Sequence, residues 1–295
     1  MVNNKKILIL EGGFNEEHEV SLKSASEIKK IFNKINLNYK SLRVNPINFK
    51  KDITKYKNFI CFNALHGPFG EDGQIQKILK QKKIKFTHSG YKSSKNCFDK
   101  VKTKEIILKN KILTPKFFVL TKKDLNSEKL FKIKKVFGKF LIKPSNSGSS
   151  FGIKILKNNQ DLKNLINNLE DFKKKLKNHN KIIAEEFIVG KELTVSTIRF
   201  SKQIKALAVT EIRYKNFFFD YTAKYSSGYS KHILPAKINK KIYDKCLNLA
   251  KKSHKILGCK SIARTDFIFD NKKNKIYFLE TNTQPGLTSI SLLPE

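Results

Sequence analysis

The apolar run Ile7-Leu-Ile-Leu10, which stops on Glu11-Gly12-Gly13, constrains this chain more than any other feature. Four consecutive apolar residues without polar alternation read as a strand buried on both faces, the environment of a parallel sheet. The glycine pair is a turn, and a helical apolar pattern follows over residues 20–35. The same events then repeat. Residues 59–63 read as a second strand closing on Leu65-His66-Gly67, residues 73–79 have helical spacing, and residues 84–86 form a short strand. Alternating strands and helices predict an open α/β sheet. Ligands in such sheets bind beyond the C-terminal ends of the strands, where the loops at Gly12-Gly13 and His66-Gly67 fall.

At 295 residues the chain is too long for a single ordinary domain, and two or three are expected. The pattern suggests breaks that give units 1–92, 93–186 and 187–295. The second unit opens with a helix over residues 95–109, followed by strands at 117–120, 140–143, 152–156 and 181–187 and a Lys/Asn-rich helix over 161–176. The third carries alternating strands at 192–200 and 204–212, a helix at 240–257, and strands at 262–269 and 275–280. A loop of about twenty residues, 214–234, interrupts it; loops that long inside a compact domain are often lids.

The formal charge of +36 would suit a nucleic-acid or membrane-surface binder. All but four of the 61 basic residues are lysines, however, and they spread over the whole chain beside abundant Asn, Ile and Phe. These residues share A/T-rich codons, so composition accounts for the charge. A selected nucleic-acid surface would use more arginine for bidentate contacts. No nucleic-acid partner is expected, although the charge would speed encounter with anionic nucleotides. No run approaches the 18 apolar residues that span a bilayer, and the N-terminal apolar run is too short for a signal peptide, so a soluble, cytoplasmic protein without a membrane partner is expected. The cysteines Cys61, Cys97, Cys246 and Cys259 lack zinc-site spacing, and reduced thiols are expected.

Three constellations carry chemistry. Arg264-Thr265-Asp266 lies on one strand and Glu280-Thr281-Asn282 ends the next. Alternation puts Arg264 with Asp266, and Glu280 with Asn282, on shared faces. Adjacent strands would then gather hard oxygen donors of the kind Mg²⁺ uses, although an ordinary polar face has the same pattern. Lys143-Pro-Ser-Asn-Ser-Gly-Ser-Ser-Phe-Gly152 places a lysine before a glycine- and hydroxyl-rich loop able to cradle a phosphate; it lacks the Walker A ending, and a flexible hairpin is the alternative. Ala184-Glu185-Glu186-Phe187-Ile188, with Glu192 beyond it, suits a hinge strand whose backbone meets an adenine edge, or else a solvated acidic pair.

In this order the pieces resemble the ATP-grasp superfamily. Glu17-His-Glu-Val-Ser21, Leu65-His-Gly67 with Gly70-Glu-Asp-Gly73, Asp220-Tyr-Thr-Ala-Lys-Tyr225 and Asn282-Thr-Gln-Pro-Gly-Leu-Thr-Ser289 are similar to the signatures of the D-alanine–D-alanine ligase family. The resemblance runs in register over essentially the whole chain. It implies a three-domain ATP-grasp architecture with an N-terminal parallel-sheet domain, and peptide-bond formation between two D-alanines through a D-alanyl phosphate, at the expense of ATP. It further implies that Lys100, Lys143, Ser150 and the surrounding 149–152 loop contact the ATP phosphates, that Glu185, Glu186, Phe187 and Ile188 flank adenine, and that Glu192 takes the ribose. Asp266, Glu280 and Asn282 would hold two Mg²⁺, with Mn²⁺ as a substitute. Glu17 would bind the first substrate's ammonium near His66, and Glu17, Ser149 and Tyr225 would tie the lid to the site. His66 has a bland alternative, since loop histidines often only bond the backbone. Arg264 and the Gly286 N–H would stabilise the oxyanion, Ser291 and Leu292 would meet the second carboxylate, and Lys224 would close over the γ-phosphate. A homodimer is implied. Another ATP-grasp carboxylate–amine ligase, such as a D-alanine–D-lactate type, is the alternative, but it would not share the Glu17, His66 and Tyr225 set. Family members continue past Ser291-Leu-Leu-Pro294 with a final helix, whose lack would expose apolar surface.

Overall fold

The computed structural model describes residues 6–148, 151–214, 230–288 and 291–294. Three sheets follow one another along the chain, each over its own apolar core.

The first sheet has the order β2-β1-β3-β4, built from β1 (Ile7–Gly12), β2 (Tyr39–Val44), β3 (Ile60–Asn63) and β4 (Lys85–Phe86). All its pairings are parallel, as the unbroken apolar run predicts. Helix α1 (His18–Lys34) buries Val20, Ala25 and Ile28 against one face. On the other face Phe49, Ile53, Ile75 and Leu79 pack below β1 and β3; Phe49 belongs to the single turn α2 (Phe49–Asp52), and Ile75 and Leu79 to α3 (Gln74–Gln81). The loops after β1 and β3 emerge at the C-terminal edge.

The second sheet is antiparallel, β5-β8-β6-β7, from β5 (Phe117–Leu120), β6 (Phe140–Pro144), β7 (Lys154–Leu156) and β8 (Ile182–Glu186). Three helices cover its apolar side: α6 (Ser127–Phe137), α7 (Asn159–Asn167) and α8 (Leu169–Lys175). The single helix expected over 161–176 is two, divided at Asn168. The helix expected over 95–109 is likewise two, α4 (Tyr91–Phe98) and α5 (Lys100–Lys109). Asp99 between them is extended (φ −86°, ψ 103°), and its carboxylate accepts from the backbone N–H groups of Val101 and Lys102 as the cap of α5.

The third sheet is antiparallel, β11-β10-β9-β12-β13, from β9 (Lys191–Phe200), β10 (Gln203–Tyr214), β11 (Ser230–Ile233), β12 (Ile262–Asp270) and β13 (Lys275–Asn282). Helix α9 (Lys240–Ile256) covers one face through Ile242, Cys246 and Ala250. A slip in register on β12 between Asp266 and Phe267 leaves Asp266 opposite Glu280 and Arg264 opposite Asn282. Thr114, just after α5, donates to the Phe278 carbonyl at 2.8 Å, which stitches the second unit to β13.

Candidate active site

Two cavities open side by side where the three sheets meet. The larger, about 440 Å³, lies between β6, β7 and β8 on one side and β12 and β13 on the other. Its walls include Leu141, Ile153, Ile155, Phe187, Ile188, Ile268 and Leu279, an apolar slot of the kind a flat heteroaromatic ring enters. Cations line it as well: Lys100, Lys139, Lys143 and Lys157. Glu192 and Glu186 sit on its wall, and Asp266 and Glu280 enter from β12 and β13.

The smaller cavity, about 100 Å³, is lined by Glu17, His66, Glu71, Arg264, Asn282, Gly286, Ser291 and Leu292 among others. Lys100, Ser147, Gly148 and Glu280 belong to both linings, so the cavities share one wall. Lys100 and Glu280 form that wall as an ion pair at 3.6 Å, and Lys100 also donates to the Ser147 carbonyl at 2.6 Å. Of the described residues, Glu17, His66, Lys100, Lys143, residues 185–188, Glu192, Arg264, Asp266, Glu280, Asn282, Gly286, Ser291 and Leu292 each line one cavity or the other, whereas Phe151 and Gly152 of the expected phosphate loop line neither. Ser149, Ser150, Lys224 and Tyr225 lie outside the described residues, as does most of the loop expected to be a lid.

In the smaller cavity the parallel sheet supplies the acidic end. Glu17 stands at the N-terminus of α1, where the helix dipole favours a negative charge, and it is 7% exposed. Gly67 and Gly148 both approach its Oε2. His66 accepts or donates through both ring nitrogens: Nε2 meets Ser24 Oγ at 3.0 Å and Nδ1 meets Glu71 Oε1 at 3.2 Å. These are side-chain partners rather than backbone ones, so the ring is fixed in orientation on the cavity wall. Glu71 is the residue here that has no role in the reading of the sequence. Burial holds its carboxyl above the ordinary value and the neighbouring Glu17 charge adds to this, while the His66 hydrogen bond acts the other way.

Opposite lies Arg264, whose guanidinium grips both oxygens of Asp266 at 2.9 and 2.8 Å. Thr194 Oγ1 adds a third bond to Asp266 Oδ1 at 2.6 Å. Gly286 lies in the loop after β13, where Ser291 Oγ meets Thr288 Oγ1 at 2.8 Å and accepts from the Thr288 N–H at 3.1 Å. Gln284 anchors the same loop to the first sheet: its Oε1 accepts from the Asn63 side-chain amide and its own amide donates to the Asn63 backbone carbonyl.

In the larger cavity, Glu185 on β8 is 2% exposed and pairs with two lysines, Lys143 at 3.3 Å and Lys104 at 2.9 Å. Burial alone would raise this carboxyl; the two ammonium groups overrule it and hold it below its ordinary value. Lys104 is a second residue that sequence reasoning passed over.

Among the described residues no three His, Cys, Asp or Glu side chains cluster as a metal cage. Asp266 and Glu280, paired across β12 and β13, with Asn282 on the same face as Glu280, instead offer a sparse set of hard oxygen donors. Such a set fits a Mg²⁺ whose shell is completed by phosphate oxygens and water.

Comparison with known proteins decides which family this pair of adjoining cavities belongs to. Residues 106–295 match the family model described as D-ala D-ala ligase C-terminus. A D-alanine--D-alanine ligase of Pelagibacter ubique is 44% identical over 295 residues, covering 99% of this chain and 91% of that protein. The chain belongs to the D-alanine–D-alanine ligase family. A second member, from Wolbachia pipientis wMel, is 39% identical over 98% of this chain and 87% of its own length. The crystal structure of the Bacillus anthracis ligase complexed with ATP superposes with a TM-score of 0.79 at 26% identity, over 98% of this chain and 90% of that one. The ligase family's α/β architecture, with one parallel and two antiparallel sheets, is therefore the architecture described above.

Proposed function

We propose that this chain joins two D-alanine molecules at the expense of ATP, through a D-alanyl phosphate, to supply the dipeptide for peptidoglycan synthesis. The observation that carries this reading is the shared wall of Lys100, Ser147, Gly148 and Glu280 between a slot sized for a nucleotide and a pocket sized for amino acids. A phosphoryl group at the end of the slot would sit beside a carboxylate in the pocket without crossing bulk water. Such proximity is the main requirement for phosphorylating a carboxylate.

On this reading adenine lies between Ile155, Phe187 and Ile268, with the β8 hinge along its edge and Glu192 at the ribose. Lys143 and Lys100 meet the phosphates. Asp266, Glu280 and Asn282 would hold Mg²⁺, which neutralises phosphate charge when bound. Glu17 receives the ammonium of the first D-alanine, and the His66–Glu71 pair fixes the pocket floor beneath it. Arg264 and the Gly286 N–H stabilise the oxyanion that forms when the second amine attacks. Ser291 and Leu292 lie where the second carboxylate would rest. We read the chain as three domains, 1–92, 93–186 and 187–295; the three successive sheets support this division, while Cys97, Ile107 and Ile112 of the second unit pack into the core of the third. The family resemblance supports a cytoplasmic homodimer. Among the described residues no helix is long and apolar enough to cross a membrane.

The test is phosphate release from Mg·ATP with D-alanine, L-alanine or D-lactate offered singly. Release with D-alanine alone, with D-alanyl-D-alanine as product, is expected. Release that requires a D-alanine and D-lactate mixture would transfer the protein to the ester-forming type, and no release with any substrate would overturn the reading.

A further inference from the structure

Lys104 is one of the largest fully buried side chains among the described residues, at 0% exposure, although it is a lysine in a chain where most lysines lie at the surface. It lies on α5, one turn beyond Lys100, and does not line the nucleotide cavity. Its ammonium meets Glu185 Oε2 at 2.9 Å, donates to Thr114 Oγ1 at 2.6 Å and stands 5.4 Å over the Phe117 ring. Thr114 in turn donates a hydrogen bond to the Phe278 carbonyl on β13, two residues before Glu280. A buried ammonium is expensive unless paired. Burial pulls this one down to about 8 in spite of Glu185, with the Lys143 charge adding to the fall and Glu280 opposing it.

The partner it shares explains why such a group is kept. Glu185 has two oxygens and two cationic neighbours: Lys104 forms an ion pair with Oε2 at 2.9 Å, and Lys143 donates a hydrogen bond to Oε1 from the cavity side at 3.3 Å. Without Lys104, Glu185 would have a single counter-charge, and Lys143 would be drawn fully onto it in this low-dielectric setting. With Lys104 in place the carboxylate is already neutralised. Lys143 keeps its place on the cavity wall with a positive charge left over for an anion.

We propose that Lys104 is a positioning residue that neutralises Glu185 so that Lys143 is released to bind the ATP phosphates. The triad of one carboxylate and two ammonium groups carries one net positive charge, and only Lys143 can deliver it to the cavity. The idea rests on the assignment of the larger cavity to ATP.

The experiment compares the binding of ATP and adenosine by calorimetry in wild type, Lys104→Met, Lys104→Arg and the double variant Lys104→Met with Glu185→Gln, beside D-alanine-dependent phosphate release. Lys104→Met should weaken ATP about tenfold or more while adenosine weakens less than about threefold, and the KM for D-alanine should stay within about twofold. Lys104→Arg should recover most of the ATP affinity. The double variant removes the carboxylate charge together with its counter-charge, so its preference for ATP over adenosine should return to within about threefold of wild type, even if both bind more weakly. If Lys104→Met does not fold, the double variant carries the test. Equal weakening of ATP and adenosine, or a double variant as poor at discriminating as the single one, would overturn the proposal. A wild type that binds neither nucleotide would instead overturn the ATP reading beneath it.

Discussion

Gly67 shows how one residue can fix a binding pocket by having no side chain. Its φ of +68° lies in the left-handed region, and a Cβ there would run into Glu17 Oε2, with Asn15 Nδ2 at 3.3 Å. The constraint is doubled, because Asn15 in turn donates to the carbonyls of His66 and Pro68 at 2.9 Å and so ties the loop after β3 to the start of α1. Gly67→Ala should therefore do two things. It should cost about 1–2 kcal/mol from the left-handed backbone, seen as a lower thermal midpoint. It should also push the Glu17 carboxylate off its seat, which would raise the KM for D-alanine about tenfold while the KM for ATP hardly moves. An equal rise in both would mean that the loop had collapsed rather than that Glu17 had shifted. The motif was legible in the sequence as Leu65-His-Gly67, but its reason was not. A glycine's neighbours across fifty residues of chain appear only when β1 and β3 are paired.

Asp99 carries the corresponding lesson for elements. The apolar pattern runs through residues 95–109 without pause, so periodicity alone reads one helix; the chain makes two because Asp99 leaves the helical region and caps α5. The same carboxylate accepts from Ser145 Oγ at 2.5 Å, and the Lys100 N–H donates to the Ser145 carbonyl at 3.0 Å. The break thus aims the first residue of α5, Lys100, at the wall shared by the two cavities. Asp99→Ala should remove about 1 kcal/mol of stability, or about 2 °C of thermal midpoint, and raise the KM for ATP by loosening Lys100, whereas Asp99→Asn should keep most of both. Long buried strands and amphipathic helices were readable because burial imposes a period on them. β2 was not, since it is an edge strand with Lys40, Ser41 and Arg43 exposed. Helix α6 was hidden for a related reason: only Leu130 and Ile133 are buried in eleven residues, and lysines fill much of the remainder. The pieces of the candidate site were visible one by one as Lys143, Glu185, Asp266 and Glu280. Their convergence on a single cavity depends on how the sheets pack, which no local pattern records. Lys104 left no signal at all, because one more lysine in this chain looks like the others until its burial is known.

For the molecule as a whole, two buried histidines set the response to acid. His88 packs edge-on to Phe62 in the first unit with Nδ1 against Thr87 Oγ1, and His254 sits on α9 in the third with Nδ1 against Thr197 Oγ1. The Nε2 atom of each is buried without a partner among the described residues. Burial, helped by the nearby His66 for one and Arg199 for the other, lowers both to about 4 from an ordinary 6.5. The unfolded chain takes up a proton on each as the pH drops below 6.5, while the folded chain refuses it until about 4. Stability is thus fully present above 6.5 and is lost progressively as the pH falls toward 4. Glu185 and Glu211 are held below the ordinary 4.5 of a glutamate, so their contribution to acid sensitivity begins only lower in the range. In the interval from about 6.5 to 4.5 these histidines act together with His179, which burial also holds below its ordinary value, while Glu71, held above its ordinary value by burial, acts in the opposite sense. Denaturant unfolding followed at half-unit steps should give a plateau above 6.5 and falling stability below it. His254→Asn should reduce that slope by about one proton even if it lowers the plateau itself, because the charge that must be excluded has gone. The same slope in the variant as in the wild type would show that acid acts elsewhere. With a formal charge of +36, self-repulsion is the competing source. It differs by being screened, so added salt should flatten a repulsive slope and leave the buried-histidine slope standing.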